Sequence, residues 1–437
     1  MENQNEESLP KLKTIGLFGG WSGFHVGDDA ILIETLCFIQ TNFPEAKIFV
    51  FSSTPEVTHE ILSPYNQNIE IVPALRIFTT PVTQKVQENS KTLVTKFYNQ
   101  LIWLLKIIHL YSLFTNKQSS KYLESSQLDL KQSIEAVKSC QLMIYGGGGY
   151  LNSDLRLSWL YPSLAKILIC KQLRIPVYLS GHTIGPLIKR DQFLARLVLP
   201  KVLALGVREN LSMKVIQEEL GIKQLNLIRE RDAAWNLKIN EGWEERLEVG
   251  TLKSSRPNIG ISLQPRDQVT IDLDVKLMIT FLEKFQGFNW ILFPHTVEDF
   301  HYQSLILEHI QNANQSINDI SIFSYQANPK FHKAAVSSCK LCVGTRFHFH
   351  VFAISSGLVS IVLARKIKTI GLLEDFGLGQ FCFDFGKKSD SIEKIVAAVE
   401  VILANQTFYT EQISSYLQHS HLSSHLALEQ VVSDWTT

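Results

Sequence analysis

An arginine and a histidine two residues apart, where an apolar strand gives way to a helix, can hold an anion and move a proton. Val343-Gly344-Thr345-Arg346-Phe347-His348-Phe349-His350 has that form. Arg346 offers a planar fork of donors suited to a carboxylate or phosphate. His348 brings an imidazole, which can act as a general acid or as a donor to an anion. His350 falls on another face of the helix and suits the core. A second loop, Gly23-Phe24-His25-Val26-Gly27-Asp28-Asp29-Ala30, puts glycine and acid at a strand-to-helix turn. There Gly27 permits close approach, helix amides favour anions, and Asp28 is either a catalytic carboxylate or a helix cap. A third, Gly146-Gly147-Gly148-Gly149, follows the strand ending at Tyr145 and strips the sheet edge of side chains, so that its backbone can lie against a ligand. It matches neither a P-loop nor a dinucleotide fingerprint. His182 in Ser180-Gly181-His182-Thr183-Ile184-Gly185-Pro186, Arg208, Asp232, Arg266 and His295 each follow a predicted strand, and each has a plain alternative as a cap or an ion-pair member.

These loops need a scaffold that turns every strand end toward one edge. The spacing predicts strands over 14–18, 47–51, 69–73, 140–145, 177–180, 204–208 and 225–227, separated by helical patterns. A second series of strands falls at 258–263, 290–294, 320–323, 341–344 and 358–363. Alternating strands and helices imply parallel sheets, which bind ligands beyond the carboxyl ends of their strands. The expected architecture is α/β, with two doubly wound Rossmann-like domains facing a cleft. The N-terminal domain covers 1–240, a charged linker 241–257, the C-terminal domain 258–390, and closing helices 391–437.

With 437 residues, 45% of them hydrophobic, the chain can bury large cores, and disorder is excluded. Its 42 basic and 42 acidic side chains cancel, which argues against a nucleic-acid partner. Six cysteines are too few for a disulfide scaffold; Cys339 and Cys342 form a CxxC with no companion pair, and core cysteines in a reducing compartment are the simpler reading. No acidic cluster has metal-ligand spacing, so no metal is expected. The polar start lacks a secretory leader, and a cytoplasmic location follows. Residues 93–114 are long and apolar but carry Lys96 and Lys106, inside a segment, 81–121, with six lysines and one acid. A true span is disfavoured. A basic amphipathic helix on the inner face of the plasma membrane and a helix packed on protein both remain open.

Taken in order, the loops resemble the polysaccharide pyruvyl transferase family. Its Asn-x-Gly-Asp-(Glu/Asp)-Ala is similar to His25–Ala30, and its triple glycine to 146–149. Its Gly-Gln-Gly-Ile-Gly-Pro is similar to 181–186, its Val-Arg-(Asp/Glu)-x-x-Ser to 207–212, and its Gly-Ile-Ser-Leu to 260–263. Its Gly-x-Arg-x-His is matched by Gly344, Arg346 and His348. The chain departs at His25, His182 and Thr183, and keeps only Lys368 of the family's Tyr-Asp-x-Lys. The resemblance implies a GT-B-like fold and transfer of the pyruvyl group of phosphoenolpyruvate to two sugar hydroxyls, forming a ketal and releasing phosphate. Phosphoenolpyruvate is then a substrate, with no cofactor. The acceptor is a sugar or lipid-linked oligosaccharide of a cell-surface polysaccharide precursor, and oligomers are allowed. Catalysis falls to His348, Arg346 and Asp28. Binding falls to Gly27, Gly146, Gly147, Gly148, Gly149, His182, Arg208, Arg266, His295 and Lys368. A nucleotide-sugar glycosyltransferase and a non-catalytic scaffold of a polysaccharide assembly complex are the alternatives.

Overall fold

The computed structural model describes residues 12–65, 68–75, 125–239, 256–265, 268–313, 319–323, 328–363, 367–385 and 391–434. The 81–121 segment, with the helix expected over 93–114, nearly all of the 241–257 linker, and Arg266 lie outside them. The chain divides into two compact units. Unit 1 comprises Met1–Ser22, Thr35–Asp232 and Ser423–Thr437; unit 2 comprises Gly23–Glu34 and Ala233–Leu422. Three segments thus fall in units that the linear reading does not assign them to. Residues 233–239, read in the N-terminal domain, lie in unit 2. Gly23–Glu34 belongs with the second series of strands, and Ser423–Thr437 with the first.

Unit 1 is built on a parallel sheet. Its strands are β1 (Thr14–Phe18), β2 (Lys47–Ser52), β3 (Ile69–Pro73), β4 (Leu142–Tyr145), β5 (Gly148–Leu151), β6 (Val177–Ile184), β7 (Ala204–Val207) and β8 (Leu227–Arg229). Their order is β3-β2-β1-β4-β6-β7-β8, with β5 pairing β6. The central strands Thr-Ile-Gly-Leu-Phe and Leu-Met-Ile-Tyr are apolar on both faces because helices cover both. The order reverses between β1 and β4, which puts the loop after β1 and the 146–149 glycines at the switch point. Sequence spacing ends the 177–180 strand too early: β6 continues through His182 to Ile184. It also misses β5, because two glycines open that strand.

The C-terminal residues complete this unit. One long helix is expected over 411–433; instead Gln406–His419 ends, and a separate helix, Leu426–Asp434, follows. Within unit 1, Arg231 N–H donates to Ser423 O at 2.9 Å, and the His425 ring packs 4.4 Å from that of Phe38. Glu230 is buried. It accepts from Tyr178 Oη at 2.7 Å, Gly181 N at 2.6 Å and Ala427 N at 3.1 Å. Burial outweighs these donors and raises its pKa from 4.5 to about 7. Because the folded value lies above the unfolded one, the unfolded chain loses this proton first as pH rises. Stability from this group is therefore full below pH 4.5, falls between about 4.5 and 7, and is flat above, a change of about 3 kcal/mol. Urea melts of wild type and Glu230→Gln at pH 5 and 7.5 should show a steeper loss of stability with rising pH in the wild type than in the variant.

Unit 2 repeats the plan with β9 (Asn258–Ser262), β10 (Asn289–Leu292), β11 (Ile320–Ile322), β12 (Leu341–Gly344), β13 (Ser360–Leu363) and β14 (Cys382–Phe383). Their order is β11-β10-β9-β12-β13-β14, all parallel. The reversal lies between β9 and β12, so the loop after β12, which carries Thr345 and Arg346, emerges at the switch point. Cys339 and Cys342 are buried in this unit's core, and none of the six cysteines is joined in a disulfide.

Candidate active site

Unit 2 assembles the first and last of the sequence loops. Helix α1 (Val26–Asn42) begins at His25, whose carbonyl accepts Asp29 N–H at 3.1 Å and whose Nδ1 accepts Asp28 N–H at 3.3 Å. His25 is thus the helix cap. A side chain at this position needs an acceptor, which explains how histidine can stand where the family pattern has asparagine. Accepting through Nδ1 leaves the imidazole proton on Nε2. Asp28, half-buried, has a carboxylate oxygen 3.8 Å from His25 Nδ1.

His348 lies in the first turn of the helix Phe347–Ser355, and its ring lies against the start of α1. A Cβ on Gly27 would fall 1.9 Å from His348 Nδ1. That glycine is what lets the imidazole touch the helix. His348 meets the His25 ring edge-on, with centroids 6.1 Å apart. One ligand atom from each of His25, Asp28 and His348 lies within 4.8 Å of the others, a grouping that, among the described residues, could hold a divalent cation. Gly27→Ala should push the imidazole off the turn and lower kcat on the order of 10²-fold, measured by steady-state kinetics.

Arg346 is arranged differently from the sequence expectation. Its fork closes on Asp299: Nε donates to Oδ2 at 2.8 Å and a second nitrogen donates to Oδ1. Asp299 is fully buried in the first turn of the helix Val297–Ala313 and also accepts His295 N–H at 3.1 Å. Arg346 is therefore a charge already met by a carboxylate, with its side chain one-fifth exposed. Its anchoring continues through His350, which donates from Nε2 to Gly344 O at 3.0 Å and accepts the Ser360 hydroxyl at 2.6 Å. Burial lowers the His350 pKa to about 4, so it is a neutral core group.

His295 is a hub by its backbone. Its carbonyl accepts Val26 N–H at 3.1 Å, its N–H engages Asp299, and an antiparallel bridge joins His25 to Thr296. Its ring is buried 4.6 Å from that of His332, which donates from Nε2 to Pro294 O at 2.7 Å. Burial first, then His332 and Arg346, hold the His295 imidazole well below the usual histidine range. Sequence reasoning missed Asp299 and His332 and left His25 out of the site residues. The pattern Thr296-x-x-Asp299 after a strand is a capping signature that could have drawn attention to Asp299; nothing local marks His332.

Of the remaining sequence-derived residues all but Lys368 lie in unit 1, Arg266 being outside the described residues, and the structure gives several of them packing roles. A Cβ on Gly146 would strike the Trp21 ring at 2.2 Å, one on Gly147 the Gly181 carbonyl at 2.8 Å, and one on Gly148 the Tyr150 ring at 2.2 Å. Protein atoms fill the space that these three glycines leave; Gly149 is half-buried. His182 is completely buried, because its strand runs two residues beyond it, and donates from Nδ1 to Ser180 O at 2.9 Å. Burial takes its pKa to about 3, so it is neutral and shut off from a substrate hydroxyl. Arg208 is likewise buried. It donates to Thr183 Oγ1 at 2.9 Å and to Glu209 at 3.2 Å, and pairs with Asp232. Lys368 falls in the helix Ile367–Glu374.

Two parallel α/β units with such switch-point loops define a GT-B-type architecture, and solved structures agree. The Neisseria meningitidis UDP-GlcNAc 2-epimerase bound to UDP-GlcNAc aligns with a TM-score of 0.54 at 14% identity, over 92% of this chain and 94% of that one. Anabaena HepE in complex with UDP and glucose aligns at 0.56 and 10% identity, over 98% and 100%. At sequence level the profile described as polysaccharide pyruvyl transferase matches residues 25–366, from His25 through Arg346 and His348. The chain belongs to the polysaccharide pyruvyl transferase family. It is also 21% identical over 364 residues to the amylovoran biosynthesis protein AmsJ of Erwinia amylovora, covering 77% of this chain and 81% of that protein.

Proposed function

We propose that the protein transfers the pyruvyl group of phosphoenolpyruvate to two hydroxyls of one sugar in a polysaccharide precursor. The observation that carries this reading is the packing of His348 on the α1 turn beside His25 and Asp28. The reaction needs proton movement at several atoms, and this cluster supplies two imidazoles and a carboxylate. In the first step a sugar oxygen bonds to C2 of the enol phosphate while C3 takes a proton and becomes a methyl group. Phosphate then leaves C2 with its oxygen and one proton, and the second sugar oxygen bonds to the resulting oxocarbenium carbon. Two hydroxyl protons are lost, one going to C3 and one to phosphate. His348 is assigned as the acid toward C3 or the phosphate, and Asp28 as the base toward a hydroxyl. Arg346, with its charge offset by Asp299, orients the loop and adds hydrogen-bond donation rather than a bare cation. Membership of the family and the likeness to a protein named for amylovoran biosynthesis support a polysaccharide precursor as acceptor.

The test is incubation with labelled phosphoenolpyruvate and lipid-linked or nucleotide-linked sugars, following phosphate and a pyruvate ketal together. Phosphate release with ketal formation is expected. Release of a nucleoside diphosphate from a nucleotide sugar instead would make the protein a glycosyltransferase. No turnover with either donor would favour the scaffold reading.

A further inference from the structure

Helix α5 is the unit 1 helix Lys189–Val198, counted after α2 (Pro55–Leu62), α3 (Ser125–Ser139) and α4 (Tyr161–Gln172); it starts just beyond the carboxyl end of β6. At about 100° per residue, Arg196, Lys189, Phe193, Leu197 and Arg190 follow one another around a single face roughly 120° wide. All five are exposed. Phe193 is 58% exposed and Leu197 51%, and Ile188, just before the helix, is 47% exposed. These are large apolar groups left in solvent, bordered on one side by Lys189 and by Arg196, whose guanidinium also donates to Leu220 O at 3.0 Å and Glu219 O at 2.6 Å, and on the other by Arg190. Lys201, three residues past the helix, adds a fourth basic side chain. The helix's single acid, Asp191, turns inward, where it accepts from Ser153 at 2.6 Å and Tyr161 at 2.8 Å and also meets Arg190 Nε at 3.4 Å, so that Lys189, Arg196 and Lys201 carry the net positive charge of the face. Its opposite face packs Ala195 and Val198 into the core.

We propose that the α5 face, Phe193 and Leu197 framed by Lys189, Arg190, Arg196 and Lys201, docks on an anionic lipid bilayer. Apolar side chains that insert at headgroup depth, bordered by cations that meet lipid phosphates, are what an interfacial helix requires. The composition argues against a second copy of this chain as occupant. Protein interface cores are depleted in lysine, and such a pairing would bring four cations against four. The inference stands independently of the reaction proposed above, because it uses no residue of that site.

Flotation of the full chain with vesicles of phosphatidylcholine alone, or with added phosphatidylglycerol, tests it. The wild type should float with the anionic vesicles, much less with neutral ones, and less as salt rises. Phe193→Ser/Leu197→Ser should float at least about tenfold less with unchanged thermal melting, since both side chains are already solvated. Phe193→Ala/Leu197→Ala serves as the milder check, and Lys189→Glu/Lys201→Glu should lose the preference for anionic lipid. Failure of the wild type to float at low salt overturns the proposal, as does undiminished flotation of the Phe193/Leu197 variants. A concentration-dependent dimer in the absence of lipid, abolished by the same variants, would reassign the face to self-association.

Discussion

The His348→Gln variant is expected to fold normally and to lose roughly 10²–10⁴-fold in kcat for pyruvyl transfer, the usual range for removing a positioned acid. Glutamine retains a hydrogen-bonding group of similar length and no titrating proton. KM for phosphoenolpyruvate should move little, because the lost interaction acts on the proton in flight rather than on the bound donor. The companion variant His25→Asn restores the residue of the family pattern. Asparagine still accepts Asp28 N–H, so α1 stays capped and the variant should keep most of the wild-type rate. If His348→Gln retained half the activity or more, the assignment of the acid would be wrong. If His25→Asn lost as much as His348→Gln, the second imidazole would be part of the proton path and the cap an incidental use of it.

The second large effect concerns Arg208. The sequence reading places it against the anionic donor, whereas the structure buries it between Glu209 and Asp232, whose side chains are at most 2% exposed. An arginine that binds substrate can be removed at the expense of KM. One that neutralises two buried carboxylates cannot, because they are left desolvated and uncompensated. Arg208→Met should therefore destabilise the protein by about 3–5 kcal/mol, read from urea unfolding. Arg208→Met/Asp232→Asn should recover part of that loss, since one of the stranded charges is gone. A normal melting curve for Arg208→Met with a raised KM for phosphoenolpyruvate would return the residue to the binding site. Since Arg346 is likewise closed on Asp299, neither Arg208 nor Arg346 presents an unpaired positive charge to a ligand. The site is better described as a proton-handling surface at a helix start than as a basic pocket.

Much of this protein is legible along the chain. Runs such as Thr14–Phe18 and Leu341–Gly344 match the observed strands residue for residue, because a strand apolar on both faces announces itself locally. The loops that follow them carry the family's motifs for the same reason: each is contiguous in sequence. Local signals fail where the outcome depends on partners far along the chain. His182 reads as a loop residue because Gly181 precedes it, yet β6 continues past it and closes it inside. The acid at Asp299 reads as an ordinary helix start, yet it holds an arginine 47 positions away.

What the sequence by itself determined is therefore the kind of fold and the family: alternating strands and helices, and motifs in a fixed order. Only the tertiary structure decided which charges are offset and which glycine serves what. Gly27 illustrates the division. Its place in the motif can be read from the chain, but its purpose is to admit the ring of His348, more than three hundred residues on. Apolar periodicity is a property of neighbours in sequence. Charge compensation and close approach are properties of neighbours in space, set by which strand ends the sheet order brings together.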